Sequence, residues 1–191
     1  MVNLIFPKLG IEEYLAYGFE PCESCFLDLK NKFVHNDKVN LVNSAIFNKN
    51  ERKKLYHSYK RRKYTPIGNS LFKSHFMINN ENDYEEVDCI VFSDWIRKNV
   101  PNFKQDFNII RMNMEGGEWC LFEDLKNNDM LGDVEIFCGT DIEEELGRIS
   151  ELKPHISGIL GMLKENNITV HHFIDSPDVE IMINLIRDRL E

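Results

Sequence analysis

Phe107-Asn108-Ile109-Ile110-Arg111-Met112-Asn113-Met114-Glu115-Gly116-Gly117-Glu118-Trp119 is the stretch on which the fold turns. Its first half is apolar and rich in β-branched residues, which predicts a strand over 107–113. Gly116 and Gly117 then break the run, and Trp119, Leu121, Phe122 and Leu125 recur at helical spacing. A strand that passes through a glycine turn straight into a helix is half of a βαβ unit. Two glycines let backbone approach a ligand closely, and the helix start offers free N–H groups. Glu115 could serve there as a base or hold a substrate hydroxyl. The same glycines also make an ordinary tight turn, so the pattern alone leaves both readings open.

The pattern repeats on either side. Tyr17-Gly18-Phe19-Glu20-Pro21 is an apolar approach stopped by an acid and a proline, and Ser24 to Phe33 follows with Phe26, Leu29 and Phe33 on one helical face. Val39 to Ile46 predicts a buried strand, and Val87 to Phe92 another, with Ser93 as cap of a helix through Trp95 and Ile96 that ends before Pro101. The segment from Glu51 to Tyr84 is polar and turn-rich, with a possible strand over 55–59 and a turn at Gly68-Asn69. Val134 to Phe137 and Ile168 to Ile174 predict strands. Asp141 to Ile149, His155 to Lys164 and the stretch opened by Ser176-Pro177-Asp178 predict helices. Strands alternating with helices imply an α/β fold with a mostly parallel sheet, whose ligands sit at the carboxyl ends of the strands. That directs attention to Glu20, to Asn43, Ser44 and Ala45, and to Asn113 through Gly117.

An acid such as Glu20 at a strand end can accept two hydrogen bonds from ribose hydroxyls, or be a plain exposed carboxylate. Cys22-Glu23-Ser24-Cys25 has redox or half-zinc spacing, but no second cysteine pair completes a zinc site and the thioredoxin context is missing. Arg52-Lys53-Lys54 and Lys60-Arg61-Arg62-Lys63, with Tyr56, Tyr59 and Tyr64 interleaved, could grip phosphate or single-stranded nucleic acid, or form a solvated hairpin. The histidines show no metal-ligand spacing, and no metal is expected.

Composition sets the frame. The chain has 191 residues, 42% hydrophobic and 29% charged, and reads as one domain with enough length to bury roughly 70% of its unfolded surface. A net charge of -9 argues against a dedicated nucleic-acid binder. No apolar run is long enough to span a membrane. Five scattered cysteines suggest reduced thiols and a cytoplasmic location.

Taken in order, these blocks resemble the FkbM family of S-adenosylmethionine-dependent methyltransferases. Tyr17-Gly18-Phe19-Glu20-Pro21 resembles the family's second strand, Val39 to Ile46 its third, Gly68-Asn69-Ser70-Leu71 a small block of its middle insertion, and Val87 to Ile96 the segment before its fourth strand. Ile109 to Trp119 resembles its hallmark acid-Gly-x-Glu run. The likeness covers about residues 17–137 of a single domain, 1–191. It implies a Rossmann-like class I methyltransferase fold, S-adenosylmethionine as cofactor, and methyl transfer to a hydroxyl of a sugar, glycan or small natural product. By position, Glu20 would bind the cofactor ribose, Asn43, Ser44 and Ala45 would lie near adenine, and Asn113, Glu115 and Gly116 would line the place where donor and acceptor meet. The family's first strand ends in a glycine-rich loop, and the residues before Tyr17 carry none. The first strand, loop and helix are therefore expected to be missing or degenerate, with Val2 to Phe6 as a remnant or the loop encoded upstream of Met1. A catalytically inactive, truncated methyltransferase-fold binding module is the alternative that this departure implies.

Overall fold

The computed structural model describes residues 5–59, 68–173 and 178–190. Its elements are β1 (Ala16–Phe19), α1 (Glu23–Lys32), β2 (Val39–Val42), β3 (Ala45–Ile46), β4 (Glu51–Tyr56), β5 (Tyr84–Ile90), α2 (Phe92–Asn99), β6 (Ile109–Met112), α3 (Glu118–Asn127), β7 (Ile136–Gly139), α4 (Ile142–Gly147), α5 (Ile156–Glu165), β8 (Val170–His172) and α6 (Asp178–Leu190).

The strands form three small sheets. β1 pairs in parallel with β2, and β6, β7 and β8 pair in parallel in that order. The third sheet is mixed: β5 lies between β3, parallel to it, and β4, antiparallel. The fold is α/β with predominantly parallel pairing, but divided rather than one continuous sheet.

β7 shows why the sequence folds this way. All four of its residues are buried, as a parallel strand covered on both faces requires. Successive side chains point to opposite faces. Phe137 joins a core with Phe122 and Leu125 of α3 and Met162 of α5, while Ile136 and Cys138 join one with Met182, Ile183 and Ile186 of α6. Gly139 closes the strand at φ +151°, where an added Cβ would lie 2.1 Å from the Met112 carbonyl oxygen. Only glycine allows β6 and β7 to approach so closely there. Ile5 is fully buried in the α6 core and leads into a 3-10 turn at Phe6–Leu9.

Several expectations shift. The single strand anticipated over Val39 to Ile46 is two strands in two sheets, because Asn43 and Ser44 carry the chain from the edge of β1 to the edge of β5. Phe6 opens a 3-10 turn, with Pro7 fixing its first residues, rather than ending a strand; Met1 to Leu4 lie outside the described residues. β4 begins at Glu51, earlier than the polar sequence suggested, since Arg52 faces Glu86 and Asp88 of β5 and Lys53 and Lys54 lie over the rings of Phe47 and Tyr84. Ser93 does not cap α2 from outside. It sits in the first turn, and Asp124 of α3 accepts its backbone N–H and its hydroxyl, both at 2.7 Å. The segments Lys60 to Ile67 and Ile174 to Pro177, including the expected basic stretch and the Ser176-Pro177 helix start, fall outside the described residues.

Candidate functional site

A cavity of about 1310 Å³ runs along β1 and β6 and reaches the residues just past their carboxyl ends. Glu20, Ser44, Ala45, Asn113 and Glu115 all line it. Five of the seven residues singled out from sequence, spread over nearly a hundred positions, therefore meet in one place. The other two stand behind it. The Asn43 amide donates to the Glu20 and Pro21 carbonyls at 2.9 and 3.1 Å, tying the ends of β1 and β2 together. Gly116, at φ +105°, turns its α-carbon into the core, where a Cβ would lie 2.2 Å from Ile149.

Glu20 leaves β1 half-buried. Its carboxylate accepts the Cys22 N–H at 2.9 Å. Burial raises its pKa, the Cys22 N–H offsets part of that, and Glu85 adds to the rise. A partly desolvated carboxylate of this kind binds hydroxyl donors more strongly than one in bulk water.

The turn after β6 is organised by Glu118. Its buried carboxylate accepts the N–H groups of Met114 at 2.7 Å and Gly116 at 2.9 Å. Burial dominates over these bonds and pushes its pKa up to about 7. Glu118 thus shapes the loop that presents Asn113 and Glu115. Glu115 itself is held at φ +48°, a left-handed conformation that costs about 1 kcal/mol for a non-glycine residue. The surroundings fix it: the Ser70 hydroxyl donates to its carbonyl at 2.7 Å.

The side chain of Glu115 meets a histidine that sequence reasoning passed over. His75 Nε2 lies 3.2 Å from Glu115 and 3.3 Å from Glu145 of α4, with the imidazole fully buried. Burial alone would lower its pKa, but the two carboxylates win and raise it to about 9. Glu145 is held low: burial opposes this, while His75 and the Arg148 guanidinium at 2.8 Å overcome it. The three groups lie close enough together to hold a metal ion. The same closeness suits a proton: the charged imidazole presents its Nε2–H to both carboxylates. No spacing rule could have found this set, because its members are 40 and 30 residues apart and meet only through the packing of the middle segment on α4.

The Cys22–Cys25 pair gathers only Glu20 as a third possible ligand among the described residues. Burial and the neighbouring Cys22 push the Cys25 thiol up to about 12, opposite to a redox nucleophile. The basic residues of β4 are engaged locally: Arg52 reaches Glu86 and Asp88, and Lys53 and Lys54 lie over the rings of Phe47 and Tyr84. Arg52 to Lys54 are thus engaged within the hairpin of β4 and β5, while Lys60 to Lys63, the rest of the basic stretch, lie outside the described residues. No helix among the described residues is long and apolar enough to cross a membrane. Comparison of the chain with protein-family models, with curated proteins and with solved structures returns no match.

Proposed function

We propose that this domain binds S-adenosylmethionine at the carboxyl ends of β1 and β6 and transfers its methyl group to a hydroxyl oxygen of a sugar or small natural product, in the manner of a Rossmann-like methyltransferase. The observation that carries the reading is the convergence of Glu20, Ala45, Asn113 and Glu115 on one cavity at the ends of parallel strands. Glu20 takes the ribose hydroxyls, Ser44 and Ala45 flank the adenine, and Asn113 orients the reacting groups. When bound, S-adenosylmethionine would supply an electrophilic methyl carbon, the acceptor oxygen gaining its C–O bond as the C–S bond breaks and leaves its electron pair on sulfur. The sulfonium is already a strong electrophile, so alignment supplies most of the rate. Glu115 receives the hydroxyl proton, its carboxylate fixed by His75.

A second reading, a non-catalytic methyltransferase-fold interaction module, is favoured by one observation: among the described residues, no glycine-rich strand and loop lies between β1 and β6. Calorimetry separates the two. Under the first reading, S-adenosylhomocysteine binds at micromolar concentration, and Glu20→Ala weakens it about tenfold, the loss of one charge-assisted bond. Absence of binding overturns the methyltransferase reading in favour of the second.

A further inference from the structure

His75, Glu115 and Glu145 come together from three separate parts of the chain, and the contacts among them are not those of an ordinary ion pair. His75 Nε2 lies 3.2 Å from Oε2 of Glu115 and 3.3 Å from Oε1 of Glu145. A charge-assisted N–H···O bond usually closes to about 2.7–2.9 Å. One Nε2–H also cannot point along both lines at once, so the two carboxylates cannot both receive a well-aligned bond. Ligand atoms around one metal ion are spaced differently. With bonds of about 2.0–2.2 Å they lie about 3.0 Å apart at right angles and about 3.4 Å apart at the tetrahedral angle. Both distances from Nε2 fall in that interval, and the three ligand atoms all lie within 4.8 Å of one another.

Each of the three is fixed from behind. The His75 N–H donates to the Phe72 carbonyl at 3.1 Å, and the His75 carbonyl accepts the Ile78 N–H at 2.8 Å, so the ring leaves a closed turn. Glu115 is held in its left-handed conformation by the Ser70 hydroxyl on its carbonyl. Arg148 holds Oε2 of Glu145 at 2.8 Å, which leaves Oε1 for His75. Ligating carboxylates are normally tied down by an outer partner of this kind. The side chains of His75 and Glu145 are 0% and 3% exposed; Glu115, at 16%, is the one member of the set that lines the cavity. The local charge is also incomplete. Arg148 is shared with Glu144, so Glu115, Glu144 and Glu145 together face only Arg148 and a protonated His75. Glu118, near enough to Glu145 for its pKa to be raised by it, brings no positive charge. A surplus negative charge remains, and a divalent ion in place of the Nε2 proton removes it.

We propose that His75 Nε2, Glu115 Oε2 and Glu145 Oε1 form a binding site for one divalent first-row transition-metal ion, which takes the place of the imidazole proton. The donor set decides the class of metal. Mg²⁺ and Ca²⁺ are bound by oxygen ligands, whereas one imidazole with two carboxylates suits Zn²⁺, Co²⁺, Mn²⁺ or Fe²⁺. Three protein ligands leave a coordination position open. Glu115 places that position at the cavity wall, where it takes water or an oxygen atom of a molecule bound in the cavity. In the metal-free protein the proton holds the same nitrogen, so proton and metal compete for it. The inference stands on the ligand geometry and is independent of the cofactor reading.

The probe is Co²⁺, titrated into the full chain after dialysis against a chelator and followed by calorimetry and by its visible absorption. One ion per chain is expected to bind at micromolar concentration, to be displaced by Zn²⁺ and to be unaffected by millimolar Mg²⁺. His75→Gln and Glu145→Gln are each expected to weaken binding by about a hundredfold. Glu115→Gln, at the most exposed of the three positions, is expected to keep the wild-type circular dichroism and to weaken binding to the same degree, so the test holds even where the buried variants unfold. Absence of binding to the wild-type chain overturns the proposal, as does a folded Glu115→Gln that loses less than about tenfold. Glu20, Cys22 and Cys25 form the other possible ligand group among the described residues. An intense sulfur-to-cobalt absorption band, or loss of binding in Cys25→Ser, would put the ion there and overturn the proposal as well.

Discussion

Replacing His75 by Gln removes the cation between the half-buried Glu115 and the buried Glu145 carboxylates, and its consequence depends on pH in a direction those two charges fix. In the unfolded chain the imidazole has its ordinary pKa of 6.5; in the fold Glu115 and Glu145 raise it to about 9 against the opposing effect of burial. Below 6.5 both states hold the proton and the stabilisation is fully present. Between 6.5 and 9 only the folded state holds it, so the stabilisation declines as pH rises and is lost above 9. The whole contribution is on the order of 3 kcal/mol, of which about 2 kcal/mol disappears between pH 7.5 and 9.5. Other groups tilt the same curve. Glu118, raised to about 7, loses its contribution as pH rises from 4.5 through 7, and buried thiols pushed up to about 11 or 12 lose theirs above 9. Both are common to wild type and variant, so the readout is the difference between the two proteins. Urea unfolding followed by tryptophan fluorescence should show His75→Gln less stable at pH 7.5, with the gap closing by about 2 kcal/mol at pH 9.5. Glu145→Gln, which keeps Glu115, should close about half as much. A gap that stays constant across this range would mean that His75 is neutral in the fold and would refute the proton-bridge account.

Gly139→Ala forces a Cβ to 2.1 Å from the Met112 carbonyl and should cost about 2–4 kcal/mol by urea unfolding, whereas Gly132→Ala, with nothing within 4 Å, should change little; equal effects would contradict the close approach of β6 and β7. Asp124→Ala strips the buried acceptor from the start of α2 and should cost about 2–3 kcal/mol, Asp124→Asn less, in the same assay; a neutral Asp124→Ala would show that the two bonds to Ser93 do not hold α2. The thiols of Cys25, Cys89, Cys120 and Cys138, all raised by burial, should react with a disulfide reagent at pH 8 only as the protein opens, and fast labelling of Cys25 in the folded state would reinstate a redox reading of the Cys22–Cys25 pair.

Local order was readable from the chain. β6 and α3 follow from the run around Ile109 and the spacing of Trp119, Leu121, Phe122 and Leu125, and Asp141 caps α4 through the Glu144 N–H at 2.8 Å, as an acid there should. What periodicity could not supply was pairing. Val39 to Ile46 looks like one strand because its apolar character is continuous; its division between two sheets depends on which edges are available in space. β4 was obscured because its side chains are mostly polar, being compensated by acids on a strand some thirty residues away. Glu20, Asn113 and Glu115 were singled out because strand ends are where ligands bind in α/β folds, and all three line the cavity. His75 and Glu145 were not, because burial and two long-range ion pairs define them rather than any local motif. Glu118, given no role from sequence, is the acceptor that folds the turn.

The central claim is that S-adenosylmethionine occupies the cavity between the ends of β1 and β6. Ultraviolet cross-linking of methyl-labelled S-adenosylmethionine to the full chain, followed by tryptic mapping, tests it most directly. The account predicts label in the peptides spanning residues 9–30 and 112–126, which carry Glu20 and Asn113 through Glu115, competed away by unlabelled S-adenosylhomocysteine and reduced in Glu20→Ala. Label confined to other peptides, or label that S-adenosylhomocysteine does not displace, would contradict it.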